Sequence, residues 1–123
     1  MPMPEYPFQH AVADLLQFEA QIYMAYADRL TGWLEIAHFP SGATSNKLAA
    51  VFRQYFSRWG APESISTDGG TNLTSEEMCS FFRRWGVERR VASADFPQSN
   101  GRAETAVKSA KRLLRTRGQS GRG

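Results

Sequence analysis

The chain has 123 residues and a 41% hydrophobic content, enough for one domain with a small core, and its formal charge is +3. Its single cysteine, Cys79, excludes an internal disulfide framework. Because its only histidines are His10 and His38, the sequence also argues against a zinc site. No run approaches the roughly 20 apolar residues of a membrane span, and the first residues lack a signal-peptide pattern, so we expect a reducing compartment and no membrane partner.

The first half of the sequence predicts an extended lead-in followed by three strands. Three prolines among the first seven residues favour an extended segment over residues 1–9. From His10 to His38 the chain is rich in Val, Ile, Tyr, Phe and Trp, with breaks near residues 19–21 and 28–32. Such short connections predict an antiparallel meander.

The rest of the sequence alternates helix and strand patterns. A helix is predicted after Thr44 or Ser45, because apolar residues then recur at helical spacing until Gly60. A second helix, which would carry Cys79 as a buried thiol, is predicted to begin at a cap formed by Thr74 with Glu77, or by Ser75. The remaining elements follow in the order strand 63–67 before that helix, strand 87–93 after it, loop 94–101 and a last helix from 102 to about 116.

This order predicts one α/β domain at residues 10–117, between the lead-in and a disordered tail at residues 118–123. Its later strands should be parallel, because helices connect them.

Three carboxylates occupy positions that favour a metal site. Asp14 lies in the first predicted strand, Asp68 ends the fourth, and Glu104 opens the last helix. If the first and fourth strands are neighbours, Asp14 and Asp68 come side by side, and Glu104 would complete an oxygen cluster suited to two Mg²⁺ or Mn²⁺ ions. The plainer alternative is a strand residue, a turn-forming residue and a favourable charge at a helix N-terminus.

Three segments carry a resemblance to a known family: "VADLLQFEAQIYMAYADRLTGWLE", "ISTDGGTNLTS" and "FPQSNGRAETAVKSAKRLL". Together they resemble the catalytic core of retroviral-type integrases, most closely those of gypsy-type long-terminal-repeat retrotransposons, from about Glu5 to Arg117. That family is marked by two aspartates and a glutamate with 35 residues between the last two, as lie between Asp68 and Glu104 here. The resemblance implies a ribonuclease H-like, three-layer fold with a mixed five-stranded sheet flanked by helices, shortened after the helix of Glu104.

The resemblance also implies DNA contacts. Residues 102–123 hold seven basic side chains and one acidic side chain, which predicts either contact with a polyanion or a solvated helix face. Lysines four and seven residues after the glutamate bind the DNA end in the family, loop residues before it also contact DNA, and residues just after the second aspartate touch target DNA. The matching positions are Lys108, Lys111, Gln98, Asn100, Thr71 and Asn72. Ordinary turn or cap roles are the alternative for the last four.

Two further aspartates compete for a role. Asp28, at the end of the second predicted strand, is the rival of Asp14 for the first metal ligand, but we expect it to accept hydrogen bonds from turn N–H groups instead. Asp95 lies nine residues before Glu104, and we expect it to be solvated.

The resemblance therefore predicts a metal-dependent polynucleotidyl transferase that cuts the 3′ ends of element DNA and joins them to target DNA. It implies element-end and target DNA as partners, a homo-oligomer, and a location in the nucleus or in a cytoplasmic element particle before nuclear entry. The zinc-binding and C-terminal domains typical of the family have no counterpart in this sequence, so a fragment or a shortened relative is expected. A nuclease of the same fold, or a host-adopted module that binds DNA or protein without catalysis, are the alternatives.

Overall fold

The computed structural model of the protein describes residues 5–68, 72–92, 105–110 and 112–113, with the backbone alone at 68, 91 and 92. It contains the five strands that the sequence predicted and two well-bounded α-helices. In chain order these are β1 (His10–Phe18), β2 (Gln21–Asp28), β3 (Leu34–Phe39), α1 (Ser45–Trp59), β4 (Ser64–Asp68), α2 (Glu76–Arg84) and β5 (Glu88–Ala92). A 3₁₀ turn at Asn72–Thr74 precedes α2, and residues 105–110 and 112–113, here the C-terminal helical segment, are also helical.

The strands form one mixed sheet in the order β3-β2-β1-β4-β5. The first three strands pair antiparallel, whereas β4 pairs parallel with β1 and with β5, so both predictions about strand direction are confirmed. A two-residue connection, Glu19 and Ala20, joins β1 to β2, and both residues have positive φ angles of 52° and 62°. The twist of a hairpin favours such a turn even though neither residue is a glycine.

The alternation of side chains along β1 divides the core between the two faces of the sheet. Ala11 and Ala13 belong to the larger cluster, which α1 and α2 cover. Phe52 of α1 lies within this cluster, with its ring centroid 5.2 Å from that of Phe82 and 5.9 Å from that of Tyr26. Leu16 belongs to a smaller cluster on the opposite face.

The C-terminal helical segment covers part of that opposite face. Its Val107 and Ala110 are 5% and 1% exposed, and they pack with Leu16 of β1 and with Ala25 and Ala27 of β2. The sheet therefore has helices on both faces, which is the predicted three-layer arrangement. None of the described helices has the length and apolar character that a membrane crossing requires.

The helix boundaries settle the choice of capping residues. Thr44 is the N-cap of α1, and its hydroxyl accepts a hydrogen bond from Lys47 N at 3.3 Å. Ser75, rather than Thr74, is the N-cap of α2, and its hydroxyl accepts a hydrogen bond from Met78 N at 3.3 Å. Thr74 belongs to the preceding 3₁₀ turn, so a capping box built on it is wrong. The Cys79 side chain is half-buried on α2, where complete burial was predicted.

The N-terminal residues turn where an extended segment was predicted. Residues 6–9 form a bend and a turn, and Phe8 has a φ of 60°. Its ring stacks between Tyr26 and Trp59, with centroid distances of 5.6 and 5.1 Å. Burial of this aromatic ring offsets the backbone strain. The predictions for residues 1–4, the loop at 94–101 and the tail at 118–123 lie outside the described residues.

Candidate active site

Strand pairing places the first two predicted ligand positions on neighbouring strands. The parallel ladder between β1 and β4 ends at the pair Ala13 and Thr67. Asp14 and Asp68 are the next residues on these two strands, and neighbouring strands lie about 4.8 Å apart. The first and fourth strands are therefore neighbours, which is the condition that the sequence analysis set for this site, and β1 is the middle strand of the sheet.

Asp14 lies on the face that the C-terminal helical segment covers. It lies between Val12 and Leu16, both of which pack in the smaller cluster, and its side chain is half-buried. Asp68 follows Ser64 and Ser66 at intervals of two residues along β4, and these two serines pair with His10 and Val12 of β1 on this same side of the sheet. The helical segment therefore packs against the face of the sheet on which the register places both aspartates.

Glu104, the third predicted ligand, lies outside the described residues. The segment that begins at residue 105 directly follows it in the sequence, and it packs against the face that holds Asp14. Within residues 5–68, 72–92, 105–110 and 112–113, no three His, Cys, Asp or Glu residues gather in a metal-binding group. The structure thus brings two of the three predicted ligand positions together and does not place the third.

Asp28 has the structural role that the sequence predicted for it. It pairs with Ala11 and therefore lies on the face covered by α1 and α2, opposite Asp14. Its fully buried carboxylate accepts four hydrogen bonds: Phe8 N and Leu30 N donate to Oδ1 at 2.7 and 3.2 Å, and Thr31 N and Oγ1 donate to Oδ2 at 3.1 and 2.7 Å. Asp28 holds the turn after β2 and joins it to the N-terminal segment.

The predicted DNA-contacting residues are only partly described. Lys108 is exposed on the C-terminal helical segment. The Asn72 side-chain Nδ2 donates to the carbonyl oxygen of Ala43 at 2.7 Å, which ties the start of the 3₁₀ turn to the segment before α1. This bond is a structural role for Asn72, but it is neither the turn nor the cap that was expected as the alternative to DNA contact. The other candidates, Thr71, Gln98, Asn100 and Lys111, lie outside the described residues, as does Asp95.

Two polar features on this face were missed from the sequence. The buried pair His10 and Ser64 is joined by a 2.7 Å hydrogen bond between Nδ1 and Oγ. Arg90 of β5 pairs with Ser66 of β4 and is exposed, and Glu88 accepts hydrogen bonds from its guanidinium group at 2.7 Å. The polar alternation of "SISTD" was the available signal, since it places every second residue of β4 on one face.

Known proteins resemble the chain in sequence and in fold. No family model matches it. A protein of Caenorhabditis elegans is 29% identical over 112 residues, which are 90% of the chain and 9% of that protein. The Pol polyprotein of Radiation murine leukemia virus is 25% identical over 115 residues, which are 88% of the chain and 19% of the polyprotein.

The solved catalytic core domain of BIV integrase superposes with a TM-score of 0.74 at 18% identity, covering 92% of this chain and 73% of that domain. The fold is that of a retroviral-type integrase catalytic core. A chain of the simian T-cell lymphotropic virus intasome, solved in complex with PP2A regulatory subunit B56 gamma, superposes with a TM-score of 0.69 at 19% identity over 83% of this chain and 38% of that one. The ribonuclease H-like fold is confirmed, while the closeness to gypsy-type relatives stays a prediction.

The chain spans only 9% of the Caenorhabditis elegans protein and 19% of the Pol polyprotein.

Proposed function

We propose that the protein is a metal-dependent polynucleotidyl transferase, which cuts near the 3′ ends of element DNA and joins those ends to target DNA. The observation that carries the proposal is the adjacent register of Asp14 and Asp68 on the central strands of an integrase-type core. The sheet face that holds this register is covered by the segment directly after Glu104. The sequence similarity of the chain to a viral Pol polyprotein supports the same conclusion.

The donor set fits a hard divalent cation. Carboxylate oxygens are the ligands that Mg²⁺ and Mn²⁺ prefer, and two of them come from neighbouring rigid strands. Asp14, Asp68 and Glu104 would hold two such ions, which would supply activation of the attacking water or 3′-hydroxyl and stabilisation of the leaving oxygen. The half-buried position of Asp14 limits access of water, which strengthens its electrostatic interactions.

The basic residues of the same face would bind and orient the DNA. Lys108 is exposed on the segment after Glu104, and Arg90 lies on β5 at the register of Ser66. Both can neutralise phosphates beside the carboxylates, and Lys111 would extend this surface. The DNA partners would be the element ends and the target, and the protein would act as a homo-oligomer in the nucleus.

The test supplies a labelled donor end, unlabelled target DNA and Mg²⁺ to the protein. Joined strands are the expected product, and Asp14→Asn, Asp68→Asn and Glu104→Gln should each abolish them. Glu76→Gln, at an exposed position in the first turn of α2, is the matched control and should retain activity. Cut donor without joined strands would identify a nuclease of the same fold, and DNA binding without either product would identify a non-catalytic module.

A second measurement does not depend on turnover. Ions that bind only the folded state raise its melting temperature, so Mg²⁺ should stabilise the wild-type protein. The three carboxylate variants should lose this stabilisation, while Glu76→Gln keeps it. A Mg²⁺ response that survives in all three variants would refute the metal site.

A further inference from the structure

A small cavity lies between α2 and β5, on the sheet face opposite the aspartates. It has a volume of about 230 Å³ and is lined by Cys79, Phe82, Arg83, Val87 and Arg89. Arg89 pairs with Ile65, a residue of the larger core cluster, so it lies on the face that α1 and α2 cover. The cavity is therefore separate from the candidate active site.

The described lining of this cavity is cationic. It includes two guanidinium groups, those of Arg83 and Arg89, and no carboxylate. The Nη1 atom of Arg89 is buried and has no hydrogen-bond partner among the residues that the structure describes. Its sequence neighbour Arg90 differs, because its Nε atom donates a hydrogen bond to Glu88 Oε1 at 2.7 Å and its Nη2 atom forms an ion pair with the same oxygen at 2.7 Å.

A buried cationic donor without an acceptor is costly, since it has lost its water without gaining a partner. An anion in the cavity would offset the charge of both arginines, and the planar guanidinium of Arg89 is suited to the paired oxygens of a phosphate. The cavity is smaller than the roughly 300–1,000 Å³ of pockets that hold drug-sized ligands, which favours a single small group. We propose that this cavity is a phosphate-binding site, filled either by free phosphate or by a backbone phosphate of nucleic acid.

The chain offers a direct reporter of this cavity. Cys79 is its only cysteine and is half-buried in the lining, so every alkylated thiol reports on this position. Its rate of alkylation by iodoacetamide should fall in a saturable way as inorganic phosphate replaces chloride at constant ionic strength. The ratio of the alkylation rate by anionic iodoacetate to that by iodoacetamide should be higher in the folded protein than in the unfolded chain, because the arginines attract the anion.

Three variants identify the groups responsible. Arg89→Gln and Arg83→Gln should each weaken protection by phosphate roughly 10- to 100-fold, which is the usual worth of one charge-assisted hydrogen bond. Arg84→Gln is the matched control, because Arg84 is the adjacent exposed arginine of α2 and does not line the cavity, and it should keep wild-type protection. Circular dichroism confirms that each variant is folded, and Arg83, being exposed, tests the proposal even if Arg89→Gln does not fold.

A short DNA duplex distinguishes the two sources of phosphate. Protection of the thiol by the duplex at concentrations far below those of inorganic phosphate would assign the site to nucleic acid, and protection by inorganic phosphate alone would assign it to the free anion. Absence of saturable protection by either, or equal protection in wild type, Arg83→Gln and Arg89→Gln, would overturn the proposal. None of these readings depends on strand transfer, so the site can fail while the proposed function stands.

Discussion

Asp28→Asn should destabilise the fold and leave the proposed metal response intact. The carboxylate accepts two hydrogen bonds at each oxygen, from Phe8 N and Leu30 N at Oδ1 and from Thr31 N and Oγ1 at Oδ2. In the best orientation of the new amide, its NH₂ group takes the place of Oδ2. The Thr31 hydroxyl can then rotate and accept a hydrogen bond from this NH₂ group, but the Thr31 N–H group loses its acceptor. The other bonds also change from charged to neutral acceptors.

The structure allows this cost to be estimated. One lost hydrogen bond to a buried charge, together with weakening of those that remain, gives about 2–4 kcal/mol of lost stability. This is a large fraction of the roughly 5–15 kcal/mol that holds a domain folded, and it should lower the melting temperature by on the order of 10 °C.

The assay is thermal unfolding followed by circular dichroism, with and without Mg²⁺, for wild type, Asp28→Asn and Asp14→Asn. Asp14→Asn removes one of two neighbouring negative charges, so without metal it should melt no lower than wild type, and it should lose the Mg²⁺ response. A wild-type melting temperature for Asp28→Asn would refute the hydrogen-bond reasoning. Loss of the Mg²⁺ response in Asp28→Asn with its retention in Asp14→Asn would show that the first metal ligand is wrongly assigned.

Three further predictions concern charged and titrating groups. Changing Lys108 and Lys111 together to Ala should flatten the salt dependence of DNA binding by about two units of log–log slope, and an unaltered slope would show that they only face solvent. The Tyr6 hydroxyl donates to Glu63 at 2.7 Å and lowers the pKa of that carboxyl below its usual 4.5. The ionised Glu63 carboxylate therefore stabilises the fold fully above pH 4.5, and this stabilisation is lost as the pH falls through the lowered pKa. In an NMR titration, Tyr6→Phe should return the pKa of Glu63 toward 4.5. An unmoved pKa would exclude this hydrogen bond as the cause. Burial raises the pKa of Tyr55 to about 12, so its protonated hydroxyl should stabilise the fold below pH 10 and lose this effect between pH 10 and 12. An unchanged alkaline unfolding profile in Tyr55→Phe would contradict this prediction.

The sequence by itself determined the element types and the strand directions. Helical spacing from Leu48 to Trp59 and the Gly60 stop predicted α1, and short breaks between the first three strands left only an antiparallel meander. These features follow from side-chain period and chain length, which are local properties. The same local information left the cap of α2 open between Thr74 and Ser75, because both hydroxyls can accept from a helix N–H group.

The tertiary structure decided which side chains share a surface. Period-two alternation assigns Asp14 and Leu16 to one side of β1, but it does not say which helix covers that side. The packing of Val107 and Ala110 against Leu16 shows that the C-terminal helical segment covers it. The pairing of Asp28 with Ala11 assigns Asp28 to the opposite face. Strand register and helix docking arise from contacts between residues far apart in the chain, so no local pattern of the sequence could determine them.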